Sequence, residues 1–138
     1  MKIFHKDISN RSEAQAKKEI ELQNRASKLG LCPKIINTDY KTFIDMEDID
    51  EMCIAYMYGE DFKDMPKPIL DQIYDILVRL YLECDIEYID ITPYNFIEKD
   101  DKVWIIDFGD AQEAPKKDWF LNEVFKNRTL TEWNPDFR

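Results

Sequence analysis

The chain has a single histidine, three cysteines and no long hydrophobic run, and each scarcity closes off a class of function. Serine–histidine hydrolysis would have to pass through His5, at the end of an expected strand with no nucleophile motif near it. Cys32, Cys53 and Cys84 are odd in number, widely spaced and set in apolar surroundings, with no C-x-x-C pair and no Cys/His cluster. That pattern suits neither zinc nor an oxidised scaffold, and fits reduced, buried thiols in a cytoplasmic setting. The opening "MKIFHKDISN" lacks a long apolar stretch, so neither a signal peptide nor a membrane span is expected. Positive charge is also in short supply: 19 Lys and Arg against 29 Asp and Glu leave a net charge of −10. Such a surface is repelled by nucleic-acid backbones and by anionic lipid, so direct binding to either is not expected. ATP is still admissible, because a divalent cation and a few local lysines offset the repulsion.

What the chain does have is enough apolar material for one core. Its 138 residues are 44% hydrophobic and 13% aromatic, the size and composition of one domain rather than two. No repeat or low-complexity linker divides it. Residues 1–5 read as a strand. Ser12-Glu13-Ala14-Gln15 is a capping box, and Ala16, Ile20, Ala26 and Leu29 follow on one helical face until Gly30 closes the helix. "KIINTDYKTFIDM" and "EMCIAYMY" read as antiparallel strands joined by "EDID". From Pro68, the residues Ile69, Leu70, Ile73, Ile76, Leu77, Leu80, Tyr81 and Cys84 recur at helical spacing with a broad buried stripe. "FIEKDDKVWIID" reads as a hairpin, and "KKDWFLNEVFKNRT" as a last helix. The pattern is α+β, a small antiparallel sheet with one helix followed by a mainly helical part.

The chemistry concentrates in "YIDITPYNFIEKDDKVWIIDFGDAQ", residues 88–112. Phosphoryl transfer needs a carboxylate to orient the attacking hydroxyl, hard oxygen donors for magnesium, and a cation against the phosphates. Asp90 and Asn95 are five residues apart, the spacing within H-R-D-x-x-x-x-N, and Asp107-Phe108-Gly109 is a D-F-G twelve residues after Asn95. The hairpin between them is expected to return both breaks to the same end of the molecule. Taken singly, each residue could as well cap a turn or end a strand.

On these motifs the chain resembles the protein-kinase-like fold in a truncated form. It is most similar to small atypical members such as the kinase subunit of the KEOPS complex, over roughly residues 1–127. The resemblance implies ATP and Mg2+ as cofactors, Asp90 as the catalytic carboxylate, and Asn95 and Asp107 as metal ligands. It makes "MKIF" the lysine-bearing strand, so that Lys2 binds phosphate and pairs with Glu19 seventeen residues later, with Lys6 and Glu21 as rivals. It places Ile54, Ala55, Tyr56 and Met57 at the adenine, in the connection between a front part (1–58) and a reduced rear part (59–138), and puts Asp118 at the start of the helix after the D-F-G.

The chain also departs from the family pattern. It begins almost at Lys2, so the strands carrying a glycine-rich phosphate loop are expected to be missing, as are the later C-terminal helices. Tyr88 stands where the histidine before the catalytic aspartate is usual, and Thr92 where many such kinases have a lysine. The short run from Gly109 to Asp118 leaves no room for a phosphorylatable loop. Two functions follow: a minimal Mg-ATP-dependent phosphotransferase acting on serine/threonine or on itself, or an inactive mimic that binds a protein such as a kinase lobe. Either implies a protein substrate or partner, and an unpaired sheet edge could hold a second copy or another protein.

Overall fold

The front of the chain forms a three-stranded antiparallel sheet. In the computed structural model, which describes residues 2–113, 128 and 130–134, β1 (Ile3–Asp7), β2 (Ile35–Thr38) and β3 (Phe43–Glu47) lie in the order β1-β3-β2. The register sets Lys6 opposite Ile44 and Phe4 opposite Met46. Asp39 builds the β2–β3 turn by accepting from the N–H groups of Lys41, Thr42 and Phe43. The helix α1 (Glu13–Ser27) starts at the capping box: Ser12 accepts from the Gln15 N–H, and the Gln15 side chain accepts from the Ser12 N–H. Past its end Gly30 takes φ +73°, a conformation that only glycine adopts without strain.

α1 serves two cores at once. Ala16 and Ile20 pack with Ile8, Ile44 and Met46 beneath the sheet. Leu22 and Ala26, further along the same helix, belong to the larger cluster of the helical half. That cluster is anchored by α3 (Lys67–Cys84), whose residues Ile69, Ile73, Ile76, Leu77, Leu80, Tyr81 and Cys84 are buried as their spacing predicts. Full burial of one such aliphatic side chain contributes about 1.5–3 kcal/mol, so this stripe dominates local stability. Asp85 ends α3 in the left-handed region, and β4 (Ile86–Glu87) leads towards the 88–95 loop.

β5 (Phe96–Lys99) and β6 (Lys102–Ile105) form the expected hairpin. Asp100 and Asp101 both have positive φ at its tip, the geometry of a tight turn matched to strand twist. β7 (Gln112–Glu113) returns to pair with β4, which closes the loop region between them.

One expected strand is a helix. "EMCIAYMY" forms the short helix α2 (Ile54–Tyr58), ended by Gly59, while "KIINTDYKTFIDM" alone supplies the hairpin β2–β3. A short apolar run cannot be told from a buried helical turn by pattern alone, and here Ile54 and Ala55 are buried while Tyr56 and Met57 are exposed. Asp118 and all of the expected last helix except Arg128, which sits in a turn with positive φ, lie outside the described residues. Residues 130–134, read from sequence as irregular, contribute Leu130 and Trp133 to the main core. Among the described residues no helix is long and apolar enough to cross a membrane.

Candidate active site

Lys6, near the end of β1, points to the side of the sheet that carries α1, and its amine bonds Glu19 Oε2. The same amine lies 3.1 Å from Asp107 Oδ1. Lysine, helix glutamate and D-F-G aspartate are therefore joined through one ammonium group. Glu19 is fully buried, a state a carboxylate tolerates only with cationic or hydrogen-bonding partners. Its second oxygen, Oε1, faces Arg11 Nε at 3.1 Å, an ion pair without a well-aligned hydrogen bond.

Lys2 is not in this cluster. It is exposed and pairs with Asp50 at 3.0 Å on the surface. Lys2 precedes β1 at the far end from α1, whereas Lys6, four positions nearer the helix, meets Glu19. Glu19 pairs with Lys6, the rival lysine, and with Arg11. Glu21 pairs instead with Arg25 on the helix exterior.

Asp107 has φ +65°, a sparsely populated backbone for a non-glycine residue, and the turn over-determines it. Its Oδ1 accepts from the Gly109 N–H at 3.0 Å as well as from Lys6, and among the described residues no hydrogen bond reaches Oδ2. Burial alone would raise the Asp107 pKa. The charge of Lys6, the Gly109 N–H, the Lys6 hydrogen bond and the charge of Arg11 outweigh it, and the carboxyl sits below the ordinary aspartate range. Behind it, the fully buried Tyr88 donates its hydroxyl to the carbonyls of Ile106 (2.8 Å) and Asp107 (2.7 Å). Its ring meets Phe108 edge-on, centroids 5.6 Å apart. Tyrosine thus replaces the expected histidine with a donor long enough to reach both carbonyls from within the core.

Asp90 and Asn95 face each other across a 3₁₀ turn (Pro93–Asn95) that Thr92 caps. The Asn95 amide donates to the Asp90 carbonyl at 2.8 Å and to Asp90 Oδ2 at 3.0 Å, so its own Oδ1 is turned away. The Asn95 carbonyl accepts from the Ile106 N–H at 2.9 Å, which ties this loop to the residue preceding Asp107. Burial raises the Asp90 pKa, Asp110 and Asp107 add to the rise, and hydrogen bonds from Asn95 and Asn134 oppose it. Asn134 also donates its N–H to the Ile91 carbonyl at 2.8 Å, so a residue 44 positions downstream of Asp90 steadies the loop.

A cleft of about 440 Å³ opens beside these groups and counts Lys6 and Asp107 among its walls. Its apolar lining comes from Phe4 and Met46 of the sheet, Ile97 and Ile106 of the hairpin side, and Ile49 of the 47–51 link. Lys99 pins that link by donating to the Ile49 carbonyl at 2.9 Å, and Cys53 bridges to Ile97 of β5. Of the four residues expected at the adenine, only Tyr56 lines the cleft; Ile54, Ala55 and Met57 lie elsewhere on α2. The connection is the segment from Glu47 to Glu51, because the chain leaves the sheet at the end of β3 and coils directly into α2.

Asp90, Asn95 and Asp107 are thus brought together, with Lys6 and Glu19. Sequence reasoning missed Arg11, the 47–51 link and Asn134. Arg11 and Asn134 act through side chains brought in from distant turns, and no local spacing marks them. Among the described residues no group of three or more His, Cys, Asp or Glu side chains could hold a metal alone. Magnesium commonly takes only one or two protein oxygens, with phosphate and water completing its shell, so a full protein cage is not required of a nucleotide-bound ion.

No curated protein matches the chain. A family model for the RIO domain matches residues 1–127, which include every group of this site except Asn134. The small antiparallel sheet, the buried lysine–glutamate pair and the D-F-G turn sit within that match, and the chain belongs to the RIO-domain family of atypical, protein-kinase-like, ATP-dependent phosphotransferases.

Proposed function

We propose that this chain is a Mg-ATP-dependent phosphotransferase that moves the terminal phosphoryl group of ATP to a hydroxyl, of a serine or threonine in a protein or in the chain itself. The observation that carries the reading is the double engagement of Lys6 with Glu19 and Asp107. In kinases that pair, and the D-F-G aspartate on its metal, must both be in place for transfer. An inactive mimic has no need of the buried glutamate, the cation on it and the catalytic-loop aspartate all at once.

The roles follow from the atoms left free. Asp90 holds the acceptor hydroxyl and takes its proton, and its raised pKa makes it a better base than an ordinary aspartate. Asn95 and Asp107 would hold magnesium, whose charge would neutralise phosphate oxygens. Lys6, oriented by Glu19, supplies a further positive charge to the phosphates. The apolar residues Phe4, Met46, Ile97 and Ile106 take the flat face of the base out of water.

The test is transfer of labelled phosphate from ATP with magnesium to candidate acceptors, the protein itself included, beside an Asp90→Ala control. Transfer that the substitution abolishes supports the reading. Absence of transfer above the control, together with retained magnesium-dependent ATP binding, would favour the mimic.

A further inference from the structure

Glu19 carries two cations where the lysine pair needs one. Lys6 takes Oε2, and Arg11 approaches Oε1 from the turn between β1 and α1, where its own N–H is held by the Ile8 carbonyl at 3.1 Å. The other end of the same guanidinium lies on the D-F-G turn. A Cβ added to Gly109 would sit 2.3 Å from Arg11 Nη2, 2.6 Å from Cζ and 2.7 Å from Nη1. Gly109 does not have the left-handed φ that would itself call for glycine. The space is what demands it: the glycine leaves room for a planar cation against the backbone.

Arginine suits this place better than lysine would. Its guanidinium is flat, weakly hydrated and forked, so Nε can face a carboxylate while the Nη groups lie against a peptide. The Arg11 side chain is only 27% exposed, which limits screening by water. Kinases commonly order the segment after D-F-G by phosphorylating it and pairing the phosphate with arginine. Here an arginine meets the turn itself, from the α1 side, with a resident carboxylate as its counter-ion.

We propose that Arg11 is a positioning residue that clasps the Asp107–Gly109 turn to Glu19 and keeps the lysine–glutamate pair and the turn assembled without a phosphorylation step. Its catalytic consequence rests on the phosphotransferase reading above; the clasp itself does not.

The test compares wild type, Arg11→Met, Gly109→Ala and the double variant in the full chain. Amide hydrogen exchange by NMR is read at positions 108–111, with the β5–β6 hairpin as internal reference. Arg11→Met removes the cation, and Gly109→Ala pushes it off the turn. Each should speed exchange at 108–111 by about tenfold, a mid-range coupling for residues in contact. The hairpin amides should stay unchanged, and the double variant should be no faster than either single one. In transfer assays kcat should fall about tenfold with the KM for ATP within about twofold, again without additivity.

Unchanged exchange at the turn, equal acceleration in the hairpin, or effects that add would overturn the clasp. If the wild type transfers no phosphate, the proposed function falls, while the exchange measurements still decide the clasp.

Discussion

Replacing Lys6 by methionine separates the geometry seen here from the assignment of Lys2 that the chain's first residues invite. Methionine keeps most of the apolar stem and removes the charge. Glu19, with no exposed surface, would then be left with Arg11 alone, and Asp107 Oδ1 would retain only the Gly109 N–H. Removing one partner of a buried ion pair costs about 3–5 kcal/mol when the other is left uncompensated. Arg11 still faces Glu19, and the Lys6 side chain is 20% exposed, so about 2–3 kcal/mol is expected, below the full buried-pair cost. For a chain of this size that lowers the Tm by roughly 6–15 °C. Phosphate transfer should be lost with it. Lys2→Met removes only a surface pair with Asp50 and should change neither melting nor transfer. Thermal melts and transfer assays on both variants, side by side, decide the matter. Loss of transfer in the Lys2 variant, or an unchanged melt and full transfer in the Lys6 variant, would refute the reasoning.

Three further expectations follow from the same site. Tyr88→Phe removes the hydroxyl donated to the partly buried carbonyls of Ile106 and Asp107 and should cost about 1 kcal/mol; calorimetry would show a lower Tm, and magnesium-dependent stabilisation by ATP should shrink. Asp90 has a raised folded pKa, so its charged form opposes folding once the pH is above that value, and the penalty disappears below the ordinary aspartate range where both states are protonated. Asp90→Asn should therefore abolish transfer yet raise the Tm at neutral pH, with no gain in acid; a Tm that drops at neutral pH would contradict it. Cys53 lines the cleft and is partly exposed, whereas Cys32 and Cys84 are buried, with burial pushing both thiols up. Iodoacetamide should label Cys53 first, and Mg-ATP should protect it; mass spectrometry of the labelled peptides checks both points.

Local chemistry carried far. The capping box, the buried stripe of α3, the hairpin over "EKDDK" and the D-x-x-x-x-N…D-F-G order all depend on residues close in sequence, and all were readable there. The strand reading of "EMCIAYMY" failed because an unbroken run of seven apolar or aromatic residues has no period of its own. Its helical form is decided by packing against the 3₁₀ turn at Pro93–Asn95 and against β5, contacts between segments some forty residues apart.

By itself, the sequence determined which chemical groups are present and in what order: a carboxylate, a carboxamide and a D-F-G on either side of a tight hairpin, preceded by a helix bearing a glutamate. Only the tertiary structure decided which lysine meets that glutamate, where the cleft beside it has its walls, and that Arg11 and Asn134 reach the site. Ion pairing falls off over a few ångströms, while strand and helix periodicity leave several cations equally eligible along the chain. The choice between Lys2 and Lys6 is made by how far the sheet slides past α1, and that offset is set by the burial of Ile8, Ile20 and Ile44 between them.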